Sequence, residues 1–196
     1  VLVGHSLGAL TAFLASGAEP HISLEENCSQ AFDDFSLTNL SELLQCQLVD
    51  FSLPFQEKIP ELSAIIGINS FGSLLWPKDL KDKIPLPVFL TGGTFDLVTP
   101  AISEQLGLLL ATKINPYSRV LLIEGASHFS PVRVMGNINK QVEDDVFKLD
   151  ESLVGLHPLS VQSLLAKEII RFLSNFEKRN SLPLVMSMVK NDIRFY

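Results

Sequence analysis

The most constraining feature of the sequence is its start, where Val1-Leu2-Val3 runs directly into the pentapeptide Gly4-His5-Ser6-Leu7-Gly8. A segment of small and apolar residues follows and predicts a helix. Gly-x-Ser-x-Gly between a strand and a helix is typical of a nucleophile elbow, a sharp turn that exposes the serine hydroxyl. We expect a strained backbone at Ser6, and a close approach of strand and helix at Gly4 and Gly8. Since the pentapeptide also occurs by chance, its interpretation depends on the rest of the chain.

Composition restricts the class of protein. With 46% hydrophobic and 19% charged residues, the 196-residue chain is expected to form one globular domain. A net charge of −7 argues against a nucleic-acid partner, which would favour a basic face. No apolar run reaches the roughly 18 residues of a membrane span. The sequence implies no metal and no cofactor.

The chain begins with Val1 and not with an initiator Met, and a core strand starts at once. We therefore expect the chain to be the C-terminal part of a longer protein, lacking the N-terminal strands of its sheet. A signal peptide would have preceded Val1, so the sequence assigns no compartment.

The two cysteines, Cys28 and Cys46, leave two interpretations open. A disulfide between them would close a short loop, contribute about 3 kcal/mol, and favour an exported protein. Two buried free thiols are the alternative. Further ligands at metal-binding spacing are missing.

The helical pattern covers residues 6–16 and is predicted to end at Gly17. Residues 21–60 read as a helical insertion with two short helices, the first opened by Ser23 and the second by Asn39. The insertion either covers the sheet or forms a lid and one wall of a substrate pocket.

Strands and helices alternate after the insertion, which predicts a parallel sheet with helices on both faces. Thr99 as N-cap and Pro100 are expected to start a helix with an apolar stripe of Ile102, Leu106, Leu109 and Leu110. A long amphipathic helix is predicted over residues 159–176, and residues 131–157 are expected to cross the surface. The apolar tail, residues 182–189, either packs on the domain or makes peripheral contact with a membrane surface. The predicted strands cover residues 1–3, 63–69, 87–91 and 119–124.

Ser6, Asp96 and His128 each follow the end of a predicted strand. Because the carboxyl ends of parallel strands meet at one edge of a sheet, we expect these three side chains to converge. The chain order Ser, Asp, His is that of α/β-hydrolases and differs from the order in chymotrypsin-like and subtilisin-like proteases.

The chain resembles the α/β-hydrolase superfamily in three segments. Within the superfamily it is most similar to bacterial predicted dienelactone hydrolases related to platelet-activating-factor acetylhydrolases, from the nucleophile onward. Dienelactone hydrolases proper use a cysteine nucleophile, whereas this chain has Ser6, which favours a serine esterase. The three segments are Gly4-His5-Ser6-Leu7-Gly8, Gly93-Thr94-Phe95-Asp96-Leu97-Val98-Thr99-Pro100 and Gly125-Ala126-Ser127-His128-Phe129.

The resemblance implies a role for each catalytic residue. Ser6 would attack the carbonyl of a small-molecule ester, His128 would transfer the proton, and Asp96 would orient the imidazole. The backbone N–H of Leu7 would be one oxyanion donor, and the second would come from a loop before Val1. The expected activity is hydrolysis of lipid-like or short-acyl carboxylic esters through an acyl-enzyme.

Two other functions stay open on the same sequence. The triad alone does not distinguish a hydrolase from an acyltransferase. A non-catalytic binding module on the same fold is a further alternative, although it gives no reason to keep all three triad residues. Substrate contacts are expected from apolar and aromatic residues that would otherwise form ordinary core, together with the histidine beside the nucleophile: His5, Phe71, Trp76 and Phe129.

Overall fold

The computed structural model describes residues 1–20, 24–33, 40–49, 58–77, 84–112, 115–132, 158–179, 185–189 and 192–195. Within them, six strands form one sheet in chain order. Strands β1 to β5 are parallel, and β6 pairs antiparallel with β5. The strands are β1 (Leu2–His5), β2 (Ile65–Ile68), β3 (Val88–Gly93), β4 (Arg119–Ile123), β5 (Val185–Val189) and β6 (Asp192–Phe195).

Five α-helices accompany the sheet in the described residues: α1 (Leu7–Ala15), α2 (Leu24–Asp33), α3 (Leu40–Cys46), α4 (Gly107–Ala111) and α5 (Pro158–Glu177). Helix α1 ends as predicted, because Gly17 has a φ of 83° and its N–H bonds to the carbonyl of Leu14. The two helices of the insertion begin at Leu24 and Leu40, directly after the predicted caps, which themselves lie outside the described residues. No described helix has both the length and the apolar character needed to cross a bilayer.

Side chains of the central strands alternate between two apolar clusters. Ile65 of β2 packs in a cluster with α1 and α4, whereas its neighbour Ile66 packs in a second cluster with α5. In β3, Leu90 joins the first cluster and Phe89 the second, where the Phe89 ring stacks on Phe172. Since successive side chains of a strand point to opposite faces, helices cover both faces of the sheet. The predicted α/β architecture is confirmed at this level.

The segment after Pro100 differs from the prediction. Residues Ile102–Leu106 form a π-helical turn, in which Leu106 N–H bonds to the carbonyl of Ala101 five residues earlier. The wider turn changes the phase of the helix, so an apolar stripe counted at α-helical spacing faces the core only in part. Leu106 and Leu109 pack in the first apolar cluster, as the stripe predicts. Ile102 is 75% exposed and Leu110 is 57% exposed. The prediction of a buried stripe through these two residues is therefore wrong.

The π-helical turn instead buries a carboxylate, which we call the Glu104 anchor. Glu104 accepts hydrogen bonds from Ser41 Oγ and Gln45 Nε2 of α3, and from the backbone N–H groups of Gly72 and Ser73. Burial raises the pKa of the Glu104 carboxyl, and the hydrogen bonds from Ser41, Ser73 and Gly72 oppose that effect. The anchor fixes the insertion to the loop that follows β2.

The insertion is also held covalently. Cys28 of α2 and Cys46 of α3 form a disulfide, with their Cα atoms 5.7 Å apart. The disulfide interpretation of the two cysteines therefore agrees with the structure, and the free-thiol alternative does not. Together the disulfide and the Glu104 anchor tie α2, α3 and the sheet into one unit.

The C-terminal tail contributes two strands that the sequence did not predict. Strand β5 lies within the apolar segment of residues 182–189 and pairs with β4, so the packing interpretation of this segment is confirmed for its backbone. The predicted surface excursion over residues 131–157 lies outside the described residues except for its first two positions.

Candidate active site

Four polar residues follow four neighbouring strands at the same edge of the sheet. Ser6 comes directly after β1, Asn69 directly after β2, Asp96 shortly after β3 and His128 shortly after β4. Because β1 to β4 are parallel, the carboxyl ends of these strands lie side by side.

The structure brings Ser6, His128 and Asp96 into one hydrogen-bonded chain. Ser6 Oγ lies 3.1 Å from His128 Nε2, and His128 Nδ1 lies 2.9 Å from Asp96 Oδ2. A carboxylate only accepts, so Nδ1 carries the proton and Nε2 is free to accept one from the serine hydroxyl. Residues 122 positions apart thus meet with the polarity that a serine nucleophile and its base require.

The backbone of Ser6 has φ 54° and ψ −120°, which is a sparsely populated conformation for a residue with a side chain. Its N–H bonds to the carbonyl of Ile68 at the end of β2. Although Ser6 occupies the N-cap position of α1, its hydroxyl makes no capping hydrogen bond and faces His128 instead. The strained turn predicted at Ser6 is present.

The two glycines of the pentapeptide have different surroundings. A Cβ added to Gly4 would overlap the backbone of Gly8 and Ala9, so only glycine fits there. A Cβ added to Gly8 would meet nothing within 4 Å among the described residues. Position 4 therefore requires glycine, as expected, because the backbone of Gly8 approaches it closely. Position 8 has room for a side chain.

Asp96 is held by its own turn as well as by the imidazole. Its Oδ1 accepts the N–H groups of Val98 and Thr99, at 2.9 and 2.7 Å, and its Oδ2 accepts the Thr99 hydroxyl at 2.7 Å. The sequence predicts Thr99 as the N-cap of a helix, but its hydroxyl hydrogen-bonds to Asp96 Oδ2 and lies 3.2 Å from both His128 Nδ1 and the carbonyl oxygen of Asn69. The helical turn that follows has Ala101 at its N-cap.

Leu7 is the first residue of α1, and its N–H has no acceptor within the helix because no helical carbonyl lies four residues before it. It is therefore placed to serve as an oxyanion donor beside Ser6. In the loop after β2, the N–H groups of Asn69, Ser70, Gly72 and Ser73 bond to other acceptors, so none of these four is free to act as a second oxyanion donor.

Two of the four residues expected to contact substrate are in the core. Phe71 is 3% exposed, and Trp76 is fully buried with its ring edge-on to Phe13 and its N–H on the carbonyl of Glu19. Both rings therefore pack in the core, which agrees with the alternative that the sequence left open for them.

The other two lie beside the imidazole. The ring of Phe129 is 5.1 Å from that of His128, and the ring of His5 is 4.9 Å from it. His5 Nε2 lies 2.8 Å from the backbone carbonyl oxygen of His128. Burial lowers the pKa of His5, and the hydrogen bond to that carbonyl opposes the effect.

Sequence reasoning missed Asn69 and the role of Thr99. Asn69 is buried at the end of β2, and its Nδ2 donates to the carbonyls of Ser127 and His128, both at 3.1 Å. The available signal was a lone polar residue at the carboxyl end of an apolar strand, the same signal that identified the triad.

The described part of the chain contains no group of three or more His, Cys, Asp or Glu side chains arranged to hold a metal ion. No family model, no curated protein and no solved structure matches the chain.

Proposed function

We propose that this protein is a serine hydrolase of the α/β-hydrolase type, which cleaves carboxylic esters through an acyl-enzyme. The observation that carries the proposal is the hydrogen-bonded chain Ser6–His128–Asp96 on a serine with a left-handed backbone. A serine in that conformation at a strand–helix junction is what a nucleophile elbow requires.

The proposed reaction uses each side chain for one task. Ser6 Oγ attacks the ester carbonyl while His128 Nε2 takes its proton, and the imidazolium then gives the proton to the leaving alcohol. Asp96 keeps the proton on Nδ1 and stabilises the imidazolium. Water attacks the acyl-enzyme in the second half-reaction, with His128 again as the base. Leu7 N–H stabilises the charge on the carbonyl oxygen in both halves.

An ester with an apolar part is the substrate class that we propose. Two apolar side chains adjoining triad residues in the chain are exposed: Leu7, beside the nucleophile, is 63% exposed, and Leu97, beside Asp96, is 60% exposed. Apolar groups of a substrate would remove this surface from water on binding. In this proposal the helical insertion serves as the lid of the site, since the Glu104 anchor fixes α3 to the loop that follows β2 and Asn69.

Covalent labelling with a fluorophosphonate tests the proposal directly. We expect one label per chain at Ser6, and no label in Ser6→Ala. Ser160→Ala, at an exposed position of α5, is the matched control and should label like the wild type. Labelling that persists in Ser6→Ala would overturn the assignment, and a wild type that never labels would favour a non-catalytic binding module.

Turnover of p-nitrophenyl acetate and butyrate then measures hydrolysis. We expect both esters to be cleaved, and cleavage to be lost in Ser6→Ala. Adding a competing alcohol separates the remaining alternative, because an acyltransferase would convert the alcohol into its ester, whereas a hydrolase would release mainly the free acid.

A further inference from the structure

The backbone carbonyl oxygen of His128 accepts hydrogen bonds from two side chains that belong to two other strands. His5 Nε2, at the end of β1, lies 2.8 Å from it. Asn69 Nδ2, directly after β2, lies 3.1 Å from it. A carbonyl oxygen has two lone pairs, so these two donors fill its capacity.

Both side chains act as donors in these two hydrogen bonds. The acceptor is a carbonyl, so His5 must carry a proton on Nε2. Asn69 is held in turn, because its backbone has φ 47°, its N–H bonds to the carbonyl of Thr91, and its own carbonyl accepts from Thr99. Asparagine is one of the few residues that adopt this left-handed conformation readily.

The other hydrogen bonds of the His128 loop stay within the loop or join it to the segment after β3 and to α5. Ser127 N–H and Ser127 Oγ bond to Ser130 Oγ, which is a contact within the same loop. Gly125 N–H bonds to Thr94 Oγ1 and Phe95 N–H bonds to the carbonyl of Ala126, which tie the start of the loop to the segment after β3. Gln162 Nε2 of α5 bonds to the carbonyl of Ser130. The bonds from His5 and Asn69 connect the loop to β1 and β2, and β1 is the strand that carries the nucleophile.

We propose that His5 and Asn69 form a clamp on the His128 carbonyl that positions the catalytic imidazole between Ser6 and Asp96. The catalytic role of the His128 clamp depends on the proposed function. Its effect on the orientation of the imidazole does not depend on that function. Fixing the peptide group of His128 fixes the direction of its Cα–Cβ bond. That direction sets whether Nε2 and Nδ1 reach Ser6 and Asp96 together.

Three variants and one control test the clamp. His5→Leu removes one donor at a half-buried position, and His5→Gln restores an N–H donor without an imidazole. Asn69→Gly removes the other donor and keeps the left-handed backbone accessible. Asn27→Ala is the control, because Asn27 Nδ2 makes a bond of the same length, 3.1 Å, to the carbonyl of Leu74.

The first readout is independent of turnover: the downfield proton NMR signal of His128 Nδ1–H, identified by its loss in His128→Gln. We expect the signal to be sharp in the wild type, in Asn27→Ala and in His5→Gln. We expect it to broaden or disappear in His5→Leu and Asn69→Gly, because a misdirected ring exchanges its proton with water. An unchanged signal in both variants would overturn the clamp.

The second readout is the kinetics of ester cleavage. We expect kcat to fall about 10- to 100-fold in His5→Leu and Asn69→Gly with KM unchanged, because the defect lies in the alignment of the base. His5→Gln should recover most of the loss, and equal losses in His5→Gln and His5→Leu would refute the role of the His5 bond. If Asn69→Gly does not fold, the two His5 variants decide the question.

The two readouts separate the two hypotheses. A wild type without esterase activity or labelling, whose Nδ1–H signal still depends on His5 and Asn69, would refute the proposed function and leave the clamp standing. An active wild type whose signal and kcat ignore both side chains would refute the clamp alone.

Discussion

The hydroxyl of Thr99 lies 2.7 Å from Asp96 Oδ2, the same oxygen that accepts the Nδ1–H of His128 at 2.9 Å. Thr99 therefore binds both oxygens of the carboxylate, because its backbone N–H bonds to Oδ1. The orientation of the acid depends on a residue three positions later in the chain.

Replacing Thr99 by Val should lower kcat about 10-fold through a less well oriented Asp96. The side chain keeps nearly the same volume, and only the hydroxyl is lost. Thr99→Ser, which restores the hydroxyl, should recover most of the rate. Steady-state kinetics with p-nitrophenyl butyrate measure the effect, and a Thr99→Val enzyme with wild-type kcat would contradict it.

His5 should make folding stability depend on pH. Burial holds its pKa below 6.5 in the folded protein, with His128 and Asp96 as the ionisable groups nearby. In the unfolded chain His5 binds a proton as the pH falls below about 6.5, whereas in the folded protein it binds one only at a lower pH, so stability is lost as the pH falls. His5→Gln does not titrate.

The measurement is urea unfolding of the wild type and His5→Gln between about pH 7.5 and about pH 5.5. The free energy of unfolding of the wild type should decrease relative to that of His5→Gln as the pH falls. A difference that stays constant over this range would show that His5 titrates alike in both states.

Gly4 and Gly8 should respond in opposite ways to alanine. Gly4→Ala would place a Cβ on the backbone of Gly8 and should lower the free energy of unfolding by about 3 kcal/mol or more. Gly8→Ala meets open space in a helix and should be neutral or stabilise the protein by up to about 1 kcal/mol. Thermal and urea unfolding compare the pair, and equal losses in both variants would be inconsistent with the structure.

The Glu104 anchor should contribute more to the free energy of unfolding than a carboxylate on the surface does. Glu104→Ala leaves the buried N–H of Gly72 and the part-buried N–H of Ser73 without their carboxylate partner and should lower the free energy of unfolding by about 2 kcal/mol. The matched control is Glu124→Ala at an exposed position, which should change it by less than about 0.5 kcal/mol. Similar values for both variants in urea unfolding would argue against the anchor.

Because Cys28 and Cys46 form a disulfide, neither sulfur should react with an alkylating reagent in the native protein. Intact mass under non-reducing conditions should show no added label, and reduction should allow two. Removing the cross-link by Cys28→Ser with Cys46→Ser should lower the free energy of unfolding by about 3 kcal/mol, because the reduced chain has more freedom when unfolded. Two labelled thiols before reduction would rule the disulfide out.

Much of this architecture follows from local sequence. Apolar runs located β1 to β4, and Gly17 located the end of α1, because these features depend on neighbours in the chain. The convergence of Ser6, Asp96 and His128 was also predictable, because a parallel sheet brings the carboxyl ends of its strands to one edge. The topology of the sheet was sufficient to predict that residues so far apart in the chain lie close together.

The features that escaped prediction depend on tertiary packing. The sequence around Glu104 reads as an ordinary amphipathic helix, and only its buried partners on α3 and on the loop after β2 explain the π-helical turn. The place of Trp76 stayed open because an apolar residue fits a pocket wall and a core equally well until its neighbour Phe13 is known. Asn69 stands at the carboxyl end of an apolar strand, but its partners are the backbone carbonyls of Ser127 and His128, which no sequence motif identifies.

The order of the sheet also bears on how the site forms. The strands lie in chain order, so the four site residues follow four successive strands, and Ser6 and His128 are 122 positions apart. Contacts so distant in sequence form late in folding and slow it. Ser6 is therefore translated long before His128 and stays without a base until β4 and its loop have docked. If the proposed function is correct, a nascent or partly folded chain carries an unactivated serine, and esterase activity should appear only once β4 and its loop are in place.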